Sequence, residues 1–396
     1  MRIVLTGGGT QGHVIPFEPI IEALRLRYLQ VQATIPASLE PAKLEIQFFG
    51  VVDTKTKDFF AHYDVRATHI PSGKWRRYFS LLNFFDMAVA LPFGIASALV
   101  RIFLVMPDVV ISKGGYGSLP TVLAAAFYRI PIILHESDAV PGAANLWLMK
   151  FASAITLGFT AAKQAVPQKY RYRTIITGTP VRGSLRMLTS IDGKKALSIK
   201  AEEKVLLVSG GSQGAQQINE AVLQILARLV QDFTVIHVTG EAHLESIKAV
   251  TGELLGQSAR REAYKPYGYL TDQMPLALAC ADGVVSRAGS GIIEQIALRK
   301  PMLLIPLASA ASDHQRVNAR VLEAAGAALV LEPTNIGSHL LEQNILQLMN
   351  DEALRNKMVE NMAALDFPKA GPDMAELAFS LARGLAPGSA FSDIIL

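Results

Sequence analysis

The sequence contains few cysteine and charged residues. Its one cysteine, Cys280, cannot form an internal disulfide, and the surrounding run PLALACADGVV is typical of a buried core residue rather than a reactive thiol. Charged residues make up 18% of the 396 residues, and the net charge is +4. Basic residues cluster only at KWRR and KYRYR, which is less than the dense stripe of a nucleic-acid binder. An anionic membrane surface or a phosphate-bearing substrate fits this charge better.

Metal-binding patterns are also missing from the sequence. The eight histidines are scattered, no H-x-x-x-H or DxD motif occurs, and one cysteine cannot build a zinc cluster. The sequence therefore predicts neither a metal site nor a cofactor.

No uncharged apolar run reaches transmembrane length. The most apolar stretch, Lys74 to Met106, is interrupted by Asp86, Pro92 and Arg101, and its longest uncharged part falls short of the ~20 residues that span a bilayer. Two interpretations stay open: buried helices beside a sheet, or helices that place a Phe-rich face in the membrane interface beside the basic KWRR cluster. Because MRIVLTGGG enters a strand directly, without the regions of a signal peptide, we expect a cytoplasmic location.

Short apolar runs that alternate with amphipathic stretches predict two doubly wound α/β domains with parallel sheets. The predicted strands are RIVLT, EIQFFG, PDVVIS, IPIILH and SAITLG in the first half, and KVLLVS, FTVIHV, GVVS, KPMLLIP and AALVLE in the second. We expect an N-terminal domain over residues 1–178 and a C-terminal domain over 179–372, with the junction near TGTPVRGSL. The last helix, within 373–396, is expected to return to the first domain.

A strand followed by a glycine loop occurs twice, as RIVLTGGGTQGH and KVLLVSGGSQGA. A glycine loop that leads into a helix directs backbone N–H groups at one point and forms an anion site. Gly7-x-Gly9-x-x-Gly12 matches the dinucleotide fingerprint, but the acidic residue expected about twenty positions later is missing. The second loop also lacks the lysine of a P-loop. A cleft between two such domains could hold a diphosphate from both sides, or a donor at one loop and an acceptor at the other.

His13 ends the first loop where the second copy has Ala215, so the loop itself does not require a histidine. A neutral imidazole near a helix N-terminus is available as a base; a capping or surface histidine is the alternative. At the end of the strand IPIILH, His135, Glu136 and Asp138 form a second candidate group, which is hard to explain by packing. The loop KGGYGSLPT offers a further glycine-lined anion site.

In the second half, Glu294 lies in the first turns of a helix that follows the glycine-rich SRAGSG. A carboxylate there either interacts with the helix dipole or accepts both hydroxyls of a ribose. Gln315 and Asn318 share one face of the next helix.

Together these motifs resemble the MurG-type N-acetylglucosamine transferase family. GGGTQGHVIP, KGGYGSLP, HESDAVPGAAN, TGTPVRGS, GGSQGAQQIN, SRAGSG with its glutamate, and DHQRVNA occur in the family's order over nearly the whole chain. The resemblance implies a GT-B fold and an inverting, metal-independent transfer of GlcNAc from UDP-GlcNAc. The implied acceptor is the 4-hydroxyl of MurNAc in undecaprenyl-pyrophosphoryl-MurNAc-pentapeptide (lipid I), giving lipid II for peptidoglycan synthesis. The implied location is peripheral, on the inner face of the cell membrane through residues near 74–106, with cell-wall synthesis proteins as possible partners and no nucleic acid.

The resemblance also assigns roles to individual residues. His13 corresponds to the general base, and Glu136 to a supporting or rival carboxylate. Residues implied to contact UDP-GlcNAc are Thr10, Gln11, Gly12, Asp138, Arg182, Ser212, Leu270, Thr271, Ser290, Gly291, Ile292, Glu294 and Gln315. Within this set, Arg182 and Ser212 would meet the diphosphate, Leu270 and Thr271 the uracil through their main chain, Glu294 the ribose and Gln315 the GlcNAc. Gly114, Gly115 and Tyr116 form the implied acceptor loop.

Four other functions remain as alternatives. A GT-B transferase with another lipid or aglycone acceptor would differ in its acceptor, and a UDP-GlcNAc 2-epimerase would convert the donor alone. A nucleotide-sugar sensor would bind without catalysis. A nicotinamide oxidoreductase would bind its cofactor, which we expect to be absent.

Overall fold

The structure, a computed structural model, describes residues 1–8, 14–33, 43–73, 86–211, 214–270, 272–307 and 313–387. The chain divides into two compact units. The first unit comprises Met1–Arg182 and Phe367–Leu396, and the second comprises Gly183–Asp366.

A parallel sheet forms the centre of the first unit. Its strands in the described residues are β1 (Arg2–Thr6), β2 (Glu45–Gly50), β3 (Arg66–His69), β4 (Val109–Ser112), β5 (Ile132–Glu136), β6 (Ala154–Leu157) and β7 (Thr174–Ile176). They are arranged in the order β3-β2-β1-β4-β5-β6-β7, and each neighbouring pair is parallel. All four residues of β4 and of β6 are buried, as continuous apolar runs predict for a sheet covered on both faces.

Helices connect and cover these strands. The α-helices described between β1 and β7 are α1 (Phe17–Ala33), α2 (Thr54–His62), α3 (Leu91–Val105), α4 (Leu119–Phe127), α5 (Ala143–Leu148) and α6 (Ala162–Ala165), with a π-helix at Asp86–Ala90 before α3. One core cluster contains the rings of Phe17, Phe48 and Phe60, and the last two stack with centroids 4.3 Å apart. Burying each ring stabilises the fold by about 1.5–3 kcal/mol.

The second unit repeats the same architecture. Its described strands are β8 (Val205–Ser209), β9 (Thr234–Val238), β10 (Tyr264–Tyr267), β11 (Gly283–Ser286), β12 (Met302–Leu304) and β13 (Leu329–Val330), in the parallel order β10-β9-β8-β11-β12-β13. Its described α-helices are α7 (Gly183–Met187), α8 (Ser190–Ala196), α9 (Gln216–Asp232), α10 (Leu244–Leu254), α11 (Met274–Cys280), α12 (Ile292–Ala297), α13 (His314–Ala324), α14 (Ser338–Asn350) and α15 (Glu352–Met362). Cys280 is buried at the end of α11.

The final helix, α16 (Ala370–Ala382), packs on α1 and forms a salt bridge between Glu376 and Arg27. The sequence predicts that this helix begins after Pro372, but Pro372 lies in its first turn. A proline is tolerated there because the first backbone N–H groups of a helix have no intrahelical partner.

Three strands differ from the sequence prediction. The ten predicted strands are present, but β3, β7 and β10 had no signal because their sequences, RATH, TII and YKPY, are polar or very short. β3 and β10 lie at sheet edges, where only one side pairs, and β7 also ends its sheet. Edge strands are less buried, so they do not need a continuous apolar run.

Candidate functional site

Polar loops of the first unit meet at the carboxyl ends of β1, β4 and β5. Thr6 pairs with Ser112, and Ser112 pairs with Leu134, so the three strands end close together. Gly8 lies against the next loop, since a Cβ on Gly8 would be 3.3 Å from the Cα of Gly115. The start of the first glycine loop and the predicted acceptor loop are therefore neighbours, at the edge where ligands bind in such sheets.

The predicted acceptor loop has a conformation that requires glycine. Gly114 and Gly115 have φ values of 75° and 77°, and a Cβ on Gly114 would overlap the side chain of Asn145. The short 3₁₀-helix Tyr116–Ser118 follows, and the carbonyl of Tyr116 accepts a hydrogen bond of 2.7 Å from Ser72. The loop is therefore fixed by packing on both sides.

Glu136 closes the turn that follows β5. One carboxylate oxygen accepts from the backbone N–H of Asp138 at 2.9 Å, and the other accepts from the N–H of Gly142 at 3.1 Å and from Nδ2 of Asn145 at 2.8 Å. Burial raises the pKa of Glu136, and the nearby Asp138 raises it further. Glu136 is thus engaged within the turn, while Asp138 remains half-exposed.

His135 has a structural explanation. It is fully buried, with Nδ1 2.9 Å from Oγ1 of Thr156 and Nε2 3.2 Å from Oγ1 of Thr179. Burial holds its pKa well below the usual value, so the ring is neutral. The interpretation that the polar residues after this strand are hard to assign to packing is therefore wrong for His135, which links β5 to β6 and to the segment after β7.

Two residues of this site were missed by the sequence analysis. Asn145 at the start of α5 binds Glu136, and the buried Lys113 donates a 2.6 Å hydrogen bond to Oγ of Ser137. The signal available for Lys113 was its position, directly after an apolar strand and directly before a pair of glycines. Asn145 is the last residue of the motif HESDAVPGAAN, but no role was assigned to it from the sequence.

Arg182 is the last residue of the first unit before the chain enters the second unit. It lies beside an acidic side chain. Its Nε is 3.8 Å from a carboxylate oxygen of Glu18, in the first turn of α1, and both side chains are largely buried. This is the arginine predicted to meet the donor diphosphate. In the structure, a carboxylate of the same unit interacts with it.

The second glycine loop joins β8 to α9. Gly214 has a φ of 75°, and a Cβ there would overlap the carbonyl oxygen of Thr239 at the end of β9. Asn219 in α9 donates to the same carbonyl at 2.9 Å. Backbone therefore approaches backbone closely at Gly214, which explains why this position is a glycine.

The SRAGSG loop after β11 and the start of α12 carry four of the predicted donor residues, Ser290, Gly291, Ile292 and Glu294. Nδ2 of Asn318 donates to the carbonyl of Ala288 at 3.1 Å and holds the loop. Ser290 and Gly291 are exposed, and Glu294 is half-buried in the first turn of α12. Ile292 is 1% exposed and belongs to the core, so only its main chain is available to a ligand.

Gln315 lies in the first turn of α13, and Leu270 follows β10, the edge strand of the second sheet. Oε1 of Gln315 accepts from the N–H of Leu307 at 2.9 Å, and its Nε2 faces Gly289. Leu270 follows β10 and its side chain is buried, which leaves its main chain for the predicted contact. The structure thus places Gln315 beside the loop that leads to Glu294.

Several predicted residues lie outside the described residues: Thr10, Gln11, Gly12 and His13 of the first loop, Ser212 of the second, Thr271, and residues 74–85 of the apolar segment. Among the residues that the structure describes, no group of three or more His, Cys, Asp or Glu side chains could hold a metal ion. One groove, at the amino end of β2, is lined by Arg25, Lys43 and Arg66 and contains none of the predicted site residues.

The described part of the apolar segment is mostly exposed. Ala88–Val105 is one helical stretch that is long and apolar enough to cross a membrane by length and composition alone. Within α3, the buried residues are Gly94, Ala98 and Ile102, whereas Phe103 and Leu104 are 60% and 73% exposed. The interpretation as ordinary buried helices is therefore wrong for α3.

Comparison with known proteins gives the class of this protein. The glycosyltransferase family 28 N-terminal domain matches residues 3–157, and the glycosyltransferase family 28 C-terminal domain matches residues 205–372. The chain therefore belongs to glycosyltransferase family 28, and the predicted enzyme class is confirmed. Its relatives in that family include the UDP-N-acetylglucosamine--N-acetylmuramyl-(pentapeptide) pyrophosphoryl-undecaprenol N-acetylglucosamine transferase of Clostridium perfringens. It is 33% identical to that protein over 91% of this chain and 93% of the relative. The predicted resemblance is thereby confirmed.

Solved structures support the predicted GT-B fold. The MurG of Acinetobacter baumannii is similar with a TM-score of 0.69 at 20% identity, covering 96% of this chain and 99% of that one. A putative UDP-N-acetylglucosamine 2-epimerase from Listeria monocytogenes is similar with a TM-score of 0.68 at 14% identity, covering 96% and 97%. Since the fold is common to both reactions, it confirms the architecture and does not select the chemistry.

Proposed function

We propose that this protein transfers GlcNAc from UDP-GlcNAc to the 4-hydroxyl of MurNAc in lipid I, which yields lipid II for peptidoglycan synthesis. The observation that carries the proposal is similarity over 91% of the chain to a relative whose name specifies both substrates. The two glycine loops and the Glu294 region provide the binding groups that such a reaction needs.

The second unit would hold the donor. We propose that Glu294 accepts the ribose hydroxyls, Gln315 contacts the GlcNAc, and the main chain of Leu270 and Thr271 reads the uracil. Ser290, Gly291 and the main chain of Ile292 would line the same position. Glu294 fits this role because it is half-buried in the first turn of α12, next to a loop held by Asn318.

The diphosphate would be neutralised by protein groups. As the bond between the anomeric carbon and the diphosphate oxygen breaks, UDP leaves with negative charge. Arg182, Ser212 and the backbone N–H groups at the start of α9 are proposed to stabilise that charge, in the absence of a metal ion. Thr10, Gln11 and Gly12 would line the sugar and diphosphate.

Two groups were predicted for the proton transfer, and we propose His13 as the base. It would take the proton from the acceptor 4-hydroxyl while the oxygen attacks the anomeric carbon from the opposite face, which inverts its configuration. Glu136 supports the turn that carries Asp138, since its two oxygens accept three hydrogen bonds there. Gly114, Gly115 and Tyr116 are proposed to meet the acceptor.

The test is transfer of labelled GlcNAc from UDP-GlcNAc to a soluble lipid I analogue in EDTA, with wild type and His13→Ala side by side. We expect transfer by wild type and a loss of ~10²–10⁴-fold in kcat for the variant, with donor affinity retained. No transfer by a wild type that binds UDP-GlcNAc would contradict the acceptor. Conversion of the donor without any acceptor would indicate an epimerase instead.

We further propose that the first unit lies on the inner face of the cell membrane through α3. Phe93, Val100, Phe103 and Leu104 present a largely exposed apolar face, and Phe127 at the end of the adjoining α4 is 71% exposed. The ammonium of Lys150 lies 4.0 Å from the ring centroid of Trp147, which is itself partly exposed. Apolar and aromatic groups beside cations are what an anionic membrane interface binds. A lipid-linked acceptor would be reached from that position.

A further inference from the structure

Lys113 is an unusual residue in the first unit because a lysine side chain is rarely buried. It follows β4, its backbone N–H donates to the carbonyl of Thr6 at 2.8 Å, and the whole residue is 2% exposed. Its ammonium donates to Oγ of Ser137 at 2.6 Å. Burying an ammonium costs several kcal/mol unless opposite charge lies nearby, and burial lowers the pKa of Lys113 to about 7.

The compensating charge comes from the turn after β5. In the described part of the chain, the titratable groups that act on Lys113 are Glu136, Asp138 and His135. Burial lowers the pKa of Lys113, and the two carboxylates oppose that shift. His135 is buried and neutral, and the charge of Lys113 helps to keep it so. The Lys113 side chain thus faces two carboxyl groups that are two residues apart, and the charged form of Lys113 favours the charged form of Glu136, whose pKa burial raises to about 7.

The same turn is held from two directions. From within, Glu136 accepts from the N–H groups of Asp138 and Gly142. From β4, Lys113 reaches Ser137, which lies between the two carboxylates in sequence. Without the ammonium, Glu136 and Asp138 would repel each other in a poorly solvated place, and Ser137 would lose the hydrogen bond that fixes the start of the turn.

We propose that Lys113 is a positioning residue of the transferase, holding the turn 137–142 through Ser137 and through its charge so that Asp138 is presented to the sugar substrate. The link to the sugar rests on the proposed function, whereas the holding of the turn does not. Lys113 itself is buried beneath the turn and need not touch either substrate.

The experiment compares Lys113→Met, Ser137→Ala and the matched control Lys300→Met. Lys300 is also a largely buried lysine, but it lies in the second unit, where its ammonium donates to the carbonyls of Ala279 and Ala281. Hydrogen–deuterium exchange is measured for the backbone of the turn 137–142. GlcNAc transfer is measured from pH 5 to pH 9, together with affinity for UDP, which lacks the sugar.

For Lys113→Met we expect at least tenfold faster exchange in the turn, at least tenfold lower kcat and unchanged affinity for UDP. The acid limb of its kcat profile should move to higher pH, because Lys113, which is charged below its pKa of about 7, no longer favours the ionised form of Glu136. Ser137→Ala keeps the charge, so it should accelerate exchange without moving the limb. Lys300→Met should change neither the exchange rate of the turn nor the position of the acid limb.

Unchanged exchange in the turn of both Lys113→Met and Ser137→Ala would overturn the inference, whatever the activity. An acid limb that stays in place in Lys113→Met would overturn the role of charge. If wild type transfers no GlcNAc, the proposed function fails, and the exchange measurement still decides whether Lys113 holds the turn. Should Lys113→Met not fold, Ser137→Ala decides the matter by the same exchange measurement.

Discussion

The guanidinium of Arg182 lies 3.8 Å from the carboxylate of Glu18, and both belong to the first unit. The hydroxyl of Tyr63 also binds Glu18, and burial together with that hydrogen bond raises the pKa of Tyr63. Burial and the charge of Glu18 raise the pKa of Glu22, and the charge of Arg182 partly offsets this rise. Arg182 therefore lies near the acidic side chains of Glu18 and Glu22. A diphosphate that bound to Arg182 would have to displace Glu18.

Replacing Glu18 by glutamine should strengthen UDP binding. If Arg182 binds the diphosphate, Glu18 competes for the same guanidinium, and removing its charge should tighten binding about 3- to 10-fold, or about 0.7–1.4 kcal/mol. Isothermal titration with UDP measures this. Glu376→Gln is the control, because Glu376 pairs with Arg27 of the same helix α1 away from the predicted site. Equal or weaker UDP binding in Glu18→Gln would show that the two anions do not compete.

Glu294→Ala should weaken UDP binding by about tenfold or more, since a charge-assisted hydrogen bond is worth about 1.5–3 kcal/mol. The alternative is that Glu294 only interacts with the dipole of α12. Glu352→Ala distinguishes a ribose contact from an interaction with the helix dipole. Glu352 also lies in the first turn of a second-unit helix, α15, and it is exposed. A similar loss of UDP affinity in both variants, or none in Glu294→Ala, would contradict the ribose contact.

The stability of the second unit should fall between pH 6.5 and pH 4. His237 is buried, with Nδ1 2.9 Å from the hydroxyl of Tyr264 and Nε2 3.0 Å from Oδ1 of Asn219, and burial lowers its pKa to about 4. The unfolded state then binds more protons than the native state in this range, so stability decreases as the pH falls. The full effect is about 3 kcal/mol.

Thermal unfolding from pH 4 to pH 7 measures this dependence. We expect His237→Asn to be less stable at neutral pH, because it loses buried hydrogen bonds, but to show a flatter pH dependence. His62→Gln, at an exposed position of α2, should retain the wild-type slope. A slope that is the same in all three proteins would mean that His237 does not titrate on unfolding.

Membrane binding should depend on the exposed face of α3. The triple change Phe93→Ser, Phe103→Ser and Leu104→Ser should reduce binding to liposomes that contain anionic lipid by at least tenfold, because each side chain loses apolar area that would enter the interface. UDP-GlcNAc binding should be unchanged. Leu26→Ser with Leu29→Ser is the control, since these leucines of α1 are similarly exposed. If the two sets of changes had equal effects, α3 would have no special role.

The apolar strands illustrate what could be predicted. Runs such as VVIS and VLLVS are buried on both faces in the structure, because only a covered parallel sheet hides so continuous an apolar sequence. The polar strand β3 and the short strand β7 could not be found this way, since they are placed by pairing with a neighbour. Asn145 was missed for a similar reason: its partner Glu136 is nine residues away and meets it only after the turn has formed.

Periodicity and ordered motifs are local properties, and they were sufficient to predict the two parallel-sheet units, the position of a glycine loop after a strand in each, and the family. The assembled fold was needed to show that His135 is a buried neutral link, that Lys113 faces two carboxyl groups, and that α3 exposes its apolar face. These depend on which distant segments pack together. Packing sets burial and the distance between charges, and those two quantities determine whether a polar side chain is a structural partner or a group available to a substrate.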